Sequence, residues 1–172
     1  LSSLGCKVVI HYNKSSSAAH KLCSKINKTK ELAITVKADL QNTKDTALAF
    51  KKAKEKFGYI DCLINNASVF EYDNLKTVST NSWDKHISAN LQAPLILSKL
   101  FYANLKNNSK GDIINILDQR VLNLTPHFLS YTISKSALWT LTQTLALELA
   151  PRVKVNAIGP GPVIKSNFQT EK

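Results

Sequence analysis

The 172-residue sequence predicts an α/β fold, a doubly wound parallel sheet carried on a single domain. Three observations predict it. Five short apolar runs alternate strictly with helical stretches of 12 or more residues, the pattern of repeated βαβ units. The runs lack polar alternation, as parallel strands covered on both faces do. Small or polar residues follow the end of each run, where ligands gather in such sheets.

Taken in order, KVVIHY at 7–12 reads as a buried strand. Residues 15–26 carry helical spacing at Ala18, Ala19, Leu22 and Ile26, and the serine cluster at their start is expected to supply the N-cap. LAITV at 32–36 is the second strand. Residues 43–57 form a helix with Leu48, Phe50, Ala53 and Phe57 as its apolar positions and Gly58 as its stop. IDCLI at 60–64 is the third strand, and 81–105 holds one long helix or two joined ones. DIINIL at 112–117 is the fourth strand, 126–150 is mostly helix ended by Pro151, and VKVNAI at 153–158 is the fifth strand.

Composition narrows the function classes. The hydrophobic share is 44% and the charged share 20%, as in an ordinary folded domain. No run of 18 apolar residues exists, so no membrane partner is expected. No charged-then-apolar leader opens the chain, and Cys6, Cys23 and Cys62 are too scattered for a disulfide framework or a zinc site. A reducing cytoplasm is the expected location and no metal is expected. The formal charge of +11 comes from 21 lysines and only two arginines, spread along the chain, so a nucleic-acid partner is not expected. The sequence contains no methionine, which suggests a fragment or a processed product.

The strand ends locate a candidate site: His11 to Ser15, then Ala38-Asp39-Leu40, then Asn65-Asn66-Ala67-Ser68, then Asp118, then Pro160-Gly161. Three Tyr-x-x-x-Lys spacings occur, Tyr72/Lys76, Tyr102/Lys106 and Tyr131/Lys135. In a lysine-rich chain the spacing alone is weak, and position decides. Tyr72/Lys76 falls in a loop, and Tyr102/Lys106 at the solvated tail of a helix. Tyr131/Lys135 opens the helix after the fourth strand. There, residues four apart share a helix face, and an ammonium near a phenol lowers its pKa from about 10.

Asn65-Asn66-Ala67 after a strand, Asn90 in the next helix, Tyr131 to Lys135, and the Val155-Asn156 strand followed by Pro160-Gly161 together resemble the short-chain dehydrogenase/reductase family. The likeness covers nearly the whole chain in the right order. It implies a Rossmann-type sheet and an NADP-dependent oxidoreductase. In that reading Tyr131, Lys135, Asp118 and Asn90 are catalytic, Lys135 tunes Tyr131 and holds the nicotinamide ribose, and Asn90 keeps a helix bulge and a relay water in place. Within the family, Asp118, the run Asn65 to Phe70 and the segment His11-Tyr12-Asn13-Lys14-Ser15 are similar to pteridine reductases.

That resemblance implies a small-molecule pteridine substrate held by Phe70, Asp118 and Tyr131. It also implies NADPH bound by His11, Tyr12, Lys14, Ser15, Asp39, Leu40, Asn65, Ala67, Ser68, Lys135, Pro160, Gly161 and Val163, with Lys14 and Ser15 on the 2′-phosphate and Asp39 on the adenine. Pro160, Gly161 and Val163 would meet the carboxamide, although Lys165 stands where the family often has threonine. An intact protein of this kind forms a homo-oligomer, a tetramer or dimer, through helices such as 81–105 and 126–150.

No Gly-rich turn occurs among Gly5, Gly58, Gly111, Gly159 and Gly161. The resemblance therefore implies an incomplete domain over 1–172, without the family's first strand and its turn and without its last strand. The expected consequence is a gap between the Val8 strand and the Cys62 strand. A non-catalytic remnant or interaction module of the same fold, and a reductase of another carbonyl or quinonoid substrate, are the alternatives.

Overall fold

The computed structural model describes residues 1–161. After a 3₁₀ turn, Ser2–Leu4, the elements run β1 (Val8–Tyr12), α1 (Ser16–Ile26), β2 (Ala33–Lys37), α2 (Thr43–Phe57), β3 (Cys62–Asn65), α3 (Thr80–Ile87), a π-helical turn (Ser88–Gln92), α4 (Ala93–Asn104), β4 (Gly111–Ile116), α5 (Leu129–Leu149) and β5 (Val153–Ile158). Every strand pairing is parallel.

The strands form two pieces, β1-β2 and β3-β4-β5. No ladder joins β1 to β3, so the expected gap between the Val8 and Cys62 strands is present among the described residues. What connects the two pieces is helix packing, chiefly α2 against α4. The core lies under the larger piece, where Phe50, Phe101, Ile113, Leu145, Leu149, Val153 and Val155 pack together. Burying a side chain such as Phe101, 1% exposed, stabilises by about 2–3 kcal/mol. Gly111 makes room for it, since a Cβ there would stand 2.6 Å from Phe101 Cζ.

The local chemistry explains the boundaries. Asn42 caps α2, its side chain accepting from the Lys44 and Asp45 amides, and Gly58 ends the helix at φ 83°. Of the apolar positions expected on α2, Phe50 and Ala53 are buried while Leu48 is 51% exposed. Ser15 occupies the N-cap of α1 but, contrary to expectation, its side chain makes no capping bond. The third strand begins at Cys62 rather than at residue 60, because the chain must first recover from the positive-φ turn at Gly58. The region 81–105 resolves into two helices joined by the π turn.

Candidate active site

Helix α5 carries the Tyr131/Lys135 pair. It starts at Leu129, three residues later than the sequence indicates, because Phe128 adopts the left-handed conformation at φ 60° and ψ 50°. Tyr131 therefore sits in the first turn, and Lys135 lies one turn further along the same face. Tyr131 Oη donates to Asp118 Oδ2 at 2.9 Å. The other carboxylate oxygen of Asp118 accepts the Arg120 amide at 2.8 Å, capping the short 3₁₀ turn Gln119–Val121. Asp118 thus does both things its position allows, turning the chain and meeting the phenol.

Lys135 is 2% exposed, and its Nζ donates to Ile116 O at 2.7 Å, at the end of β4. The Nζ lies 5.8 Å from the centroid of the Tyr131 ring. The groups that act most strongly on the phenol are others. Burial, then the hydrogen bond and charge of Asp118, push the phenol above its ordinary value, with Arg120 opposing. Burial draws the Lys135 ammonium down to about 8, against an opposing pull from Asp118.

Asn90 is 1% exposed and stands in the middle of the π turn. Its Oδ1 accepts from the Val69 amide at 2.7 Å and from Ser68 Oγ at 3.1 Å. Its Nδ2 donates to Val69 O and Ser134 Oγ, each at 3.0 Å. One side chain thereby ties the loop after β3 to α5. The extra residue of a π turn is what swings Asn90 into that position. Phe70, in the same loop, lies flat on Phe128 (centroids 4.4 Å apart, 10° between planes) and edge-on to Tyr131 at 4.6 Å. The Arg120 guanidinium covers Phe128 at 4.8 Å.

A cavity of about 90 Å³ opens beside these groups at the strand ends, lined by His11, Asn13, Asp39, Leu40, Gln41, Ala67, Ser68, Val69 and Ala89. His11 Nε2 donates to Ala38 O at 3.0 Å. Asp39 Oδ1 accepts the Gln41 amide, which shapes the turn after β2. Asn65 is buried and donates to Asn115 Oδ1 at 2.8 Å, while its own Oδ1 has no partner among the described residues. Lys14 and Ser15 are exposed at the N-terminus of α1. Pro160 O accepts the Gln119 amide, which brings Pro160 and Gly161 against the Asp118 turn.

Tyr12 does not join this group: strand alternation turns its ring onto His20, 5.5 Å away. Val163, like Lys165, lies outside the described residues. Asn13, inside the expected strand end His11 to Ser15, lines the cavity, and Gln41 lines it without having been expected there. Asn13 had a signal, since period-2 alternation places it on the face of His11. Phe128 and Arg120 had none, because their roles come from packing between distant loops. The remaining Tyr-x-x-x-Lys spacings are engaged elsewhere, with Arg152 over Tyr102, Lys106 over Tyr59, and Tyr72 bonded to His127.

A family model described as short chain dehydrogenase matches residues 1–172. The chain is 32% identical to a short-chain type dehydrogenase/reductase of Picea abies, over 95% of this chain and 64% of that one. It is 32% identical to a 3-oxoacyl-[acyl-carrier-protein] reductase of Synechocystis sp., over 94% of this chain and 66% of that one. The crystal structure of FolM alternative dihydrofolate reductase 1 from Brucella suis in complex with NADP superposes with a TM-score of 0.91 at 41% identity, covering 95% of this chain and 68% of that one. The chain thus spans about two thirds of the length of these proteins.

Proposed function

The chain belongs to the short-chain dehydrogenase family, and on that premise we propose that it acts as an NADPH-dependent reductase of a pteridine, of the dihydropteridine or dihydrofolate type. The observation that carries the reading is the Tyr131–Asp118 hydrogen bond with Lys135 buried behind it and Phe70 beside it. The NADP-bound dihydrofolate reductase it resembles supports both the cofactor and the substrate class.

The residues present fit the cofactor. The cavity gathers the ends of β1, β2 and β3, the Ser15 hydroxyl is not spent on capping α1, and Asn65 keeps a buried carbonyl oxygen without a partner. Lys14 and Ser15 at a helix N-terminus would hold the 2′-phosphate. His11, Asp39 and Leu40 would line the adenosine end, and Asn65, Ala67, Ser68, Lys135, Pro160 and Gly161 the nicotinamide end. When bound, NADPH supplies a hydride to the carbon of a substrate C=N bond.

The chain's own groups handle the proton. Tyr131, its pKa above the ordinary tyrosine value, carries its proton at neutral pH, the form from which a donor starts. Tyr131 passes its proton to the substrate nitrogen, Asp118 fixes the phenol's direction, and the Lys135 ammonium offsets the negative charge that develops. Phe70 holds the flat ring by stacking. Exposed Trp83, Leu95, Ile133 and Leu147 on α3, α4 and α5 support an assembly of like subunits. The three free thiols suit a reducing compartment such as the cytoplasm.

The test is NADPH oxidation by the full-length protein with dihydrobiopterin, dihydrofolate and a quinone and ketone panel. Turnover of the pteridines, reduced about 1000-fold by Tyr131→Phe, is the expected result. Turnover of quinones or ketones alone would move the substrate class, and no turnover with any substrate would favour a non-catalytic module.

A further inference from the structure

Asp73 is 1% exposed and takes no part in the chemistry above, yet it is held by two helices, α3 and α5. Its Oδ1 accepts the Ser130 amide at 3.0 Å and its Oδ2 accepts Ser82 Oγ at 2.7 Å. Its backbone carbonyl accepts the Leu129 amide at 3.2 Å. Leu129 and Ser130 are the first two residues of α5, and Tyr131 is the third. The residue at the N-cap, Phe128, has no capping side chain and stands in a left-handed conformation that costs an aromatic residue about 1–2 kcal/mol. The amides that open α5 would otherwise lack partners. A carboxylate from a loop far away in sequence supplies what the N-cap cannot, and its charge suits a helix N-terminus. Burial raises the Asp73 pKa, but hydrogen bonds from Ser130 and Ser82 and the nearby His86 outweigh it and hold the carboxyl below its ordinary range.

The same loop carries Phe70, three residues before Asp73, whose ring meets both Phe128 and Tyr131. We propose that Asp73 is a positioning residue that joins the Phe70 loop to the start of α5, so that the surface receiving the substrate ring and the phenol giving the proton keep one alignment. This rests on Tyr131 acting as proton donor. Asp73 itself touches no reacting atom.

The test compares Asp73→Ala and Asp73→Asn in the full-length protein. The asparagine can keep its oxygen on the Ser130 amide and turn its amide group to Ser82 Oγ. Asp73→Ala is expected to lower kcat about 100-fold, the scale of a small misplacement of reacting groups. NADPH affinity, measured by fluorescence titration, is expected to stay within about 3-fold of the parent, because the cofactor cavity does not include Asp73. Asp73→Asn is expected to recover most of kcat. Hydrogen exchange at the Ser130 amide, which the carboxylate accepts, should speed up in the alanine variant only. The proposal is overturned if kcat survives in Asp73→Ala, if kcat and NADPH affinity fall together in both variants, or if the Ser130 amide stays protected in Asp73→Ala. Should the parent turn over no substrate at all, the reductase reading fails, and the amide exchange still judges Asp73.

Discussion

Lys135 is held where its charge is costly. It is 2% exposed, its Nζ donates to a neutral carbonyl, and its pKa is drawn down to about 8 by burial. A free lysine titrates near 10.4. Between about pH 8 and 10 the folded chain therefore binds fewer protons at this site than the unfolded chain does, and stability rises with pH across that window. Tyr131 acts with the opposite sign. Its pKa is raised by burial and by Asp118, so its contribution is complete below about pH 10 and is lost as pH climbs further. Lys135→Met should abolish reductase turnover while stabilising the fold by about 2 kcal/mol at pH 7, and should remove the rise of Tm between pH 8 and 10. Thermal melts of parent and variant across that range check it. An unchanged slope would show that Lys135 is not the group responsible.

Among the elements, the π turn is where backbone geometry and site meet. Asn90 uses its whole amide group on Val69, Ser68 and Ser134. Asn90→Ala takes the acceptor from the half-buried Val69 amide and leaves the Val69 carbonyl only the Ser68 hydroxyl, a loss of about 2 kcal/mol that urea unfolding would read. Turnover should fall as well, since the loop carrying Ser68 and Phe70 loses its anchor to α5. The order of strands and helices was legible because apolar runs and helical spacing are local signals, and β5 agrees with its sequence span residue for residue. Tyr131/Lys135 was legible from its place at the opening of a helix. What depends on distant partners was not. The left-handed Phe128, which delays the start of α5, has Phe70, Tyr72 and Arg120 packed around it. The Asp73 contact to Ser130 spans 57 residues and leaves no periodic trace. Helical spacing puts Lys135 and Tyr131 on one face, but that β4 offers the ammonium a carbonyl has no trace in that spacing.

At the scale of the whole molecule, the sheet in two pieces governs what these 172 residues can do by themselves. The cavity draws His11 and Asp39 from one piece and Ser68 and Ala89 from the other, so its shape depends on how the pieces are held together. That hold comes from helices and loops, without a ladder between β1 and β3. Unpaired strand edges are stabilised only by water or by a partner strand. Within the larger piece β4 is paired on both sides and Ile113 is fully buried, whereas β1 and β3 each have an edge unpaired among the described residues. Hydrogen exchange on the isolated chain should therefore find β4 slowest and β1 and β3 much faster, since local opening needs only the loss of one ladder. The same chain should bind NADPH weakly, because binding must first fix the relative placement of the two pieces, and the entropy lost in that ordering offsets much of the cofactor's interaction energy. Fluorescence titration decides the point. Tight NADPH binding by the isolated chain, with β1 and β3 as protected as β4, would mean that helix packing alone sets the cavity and that a continuous sheet is dispensable for it.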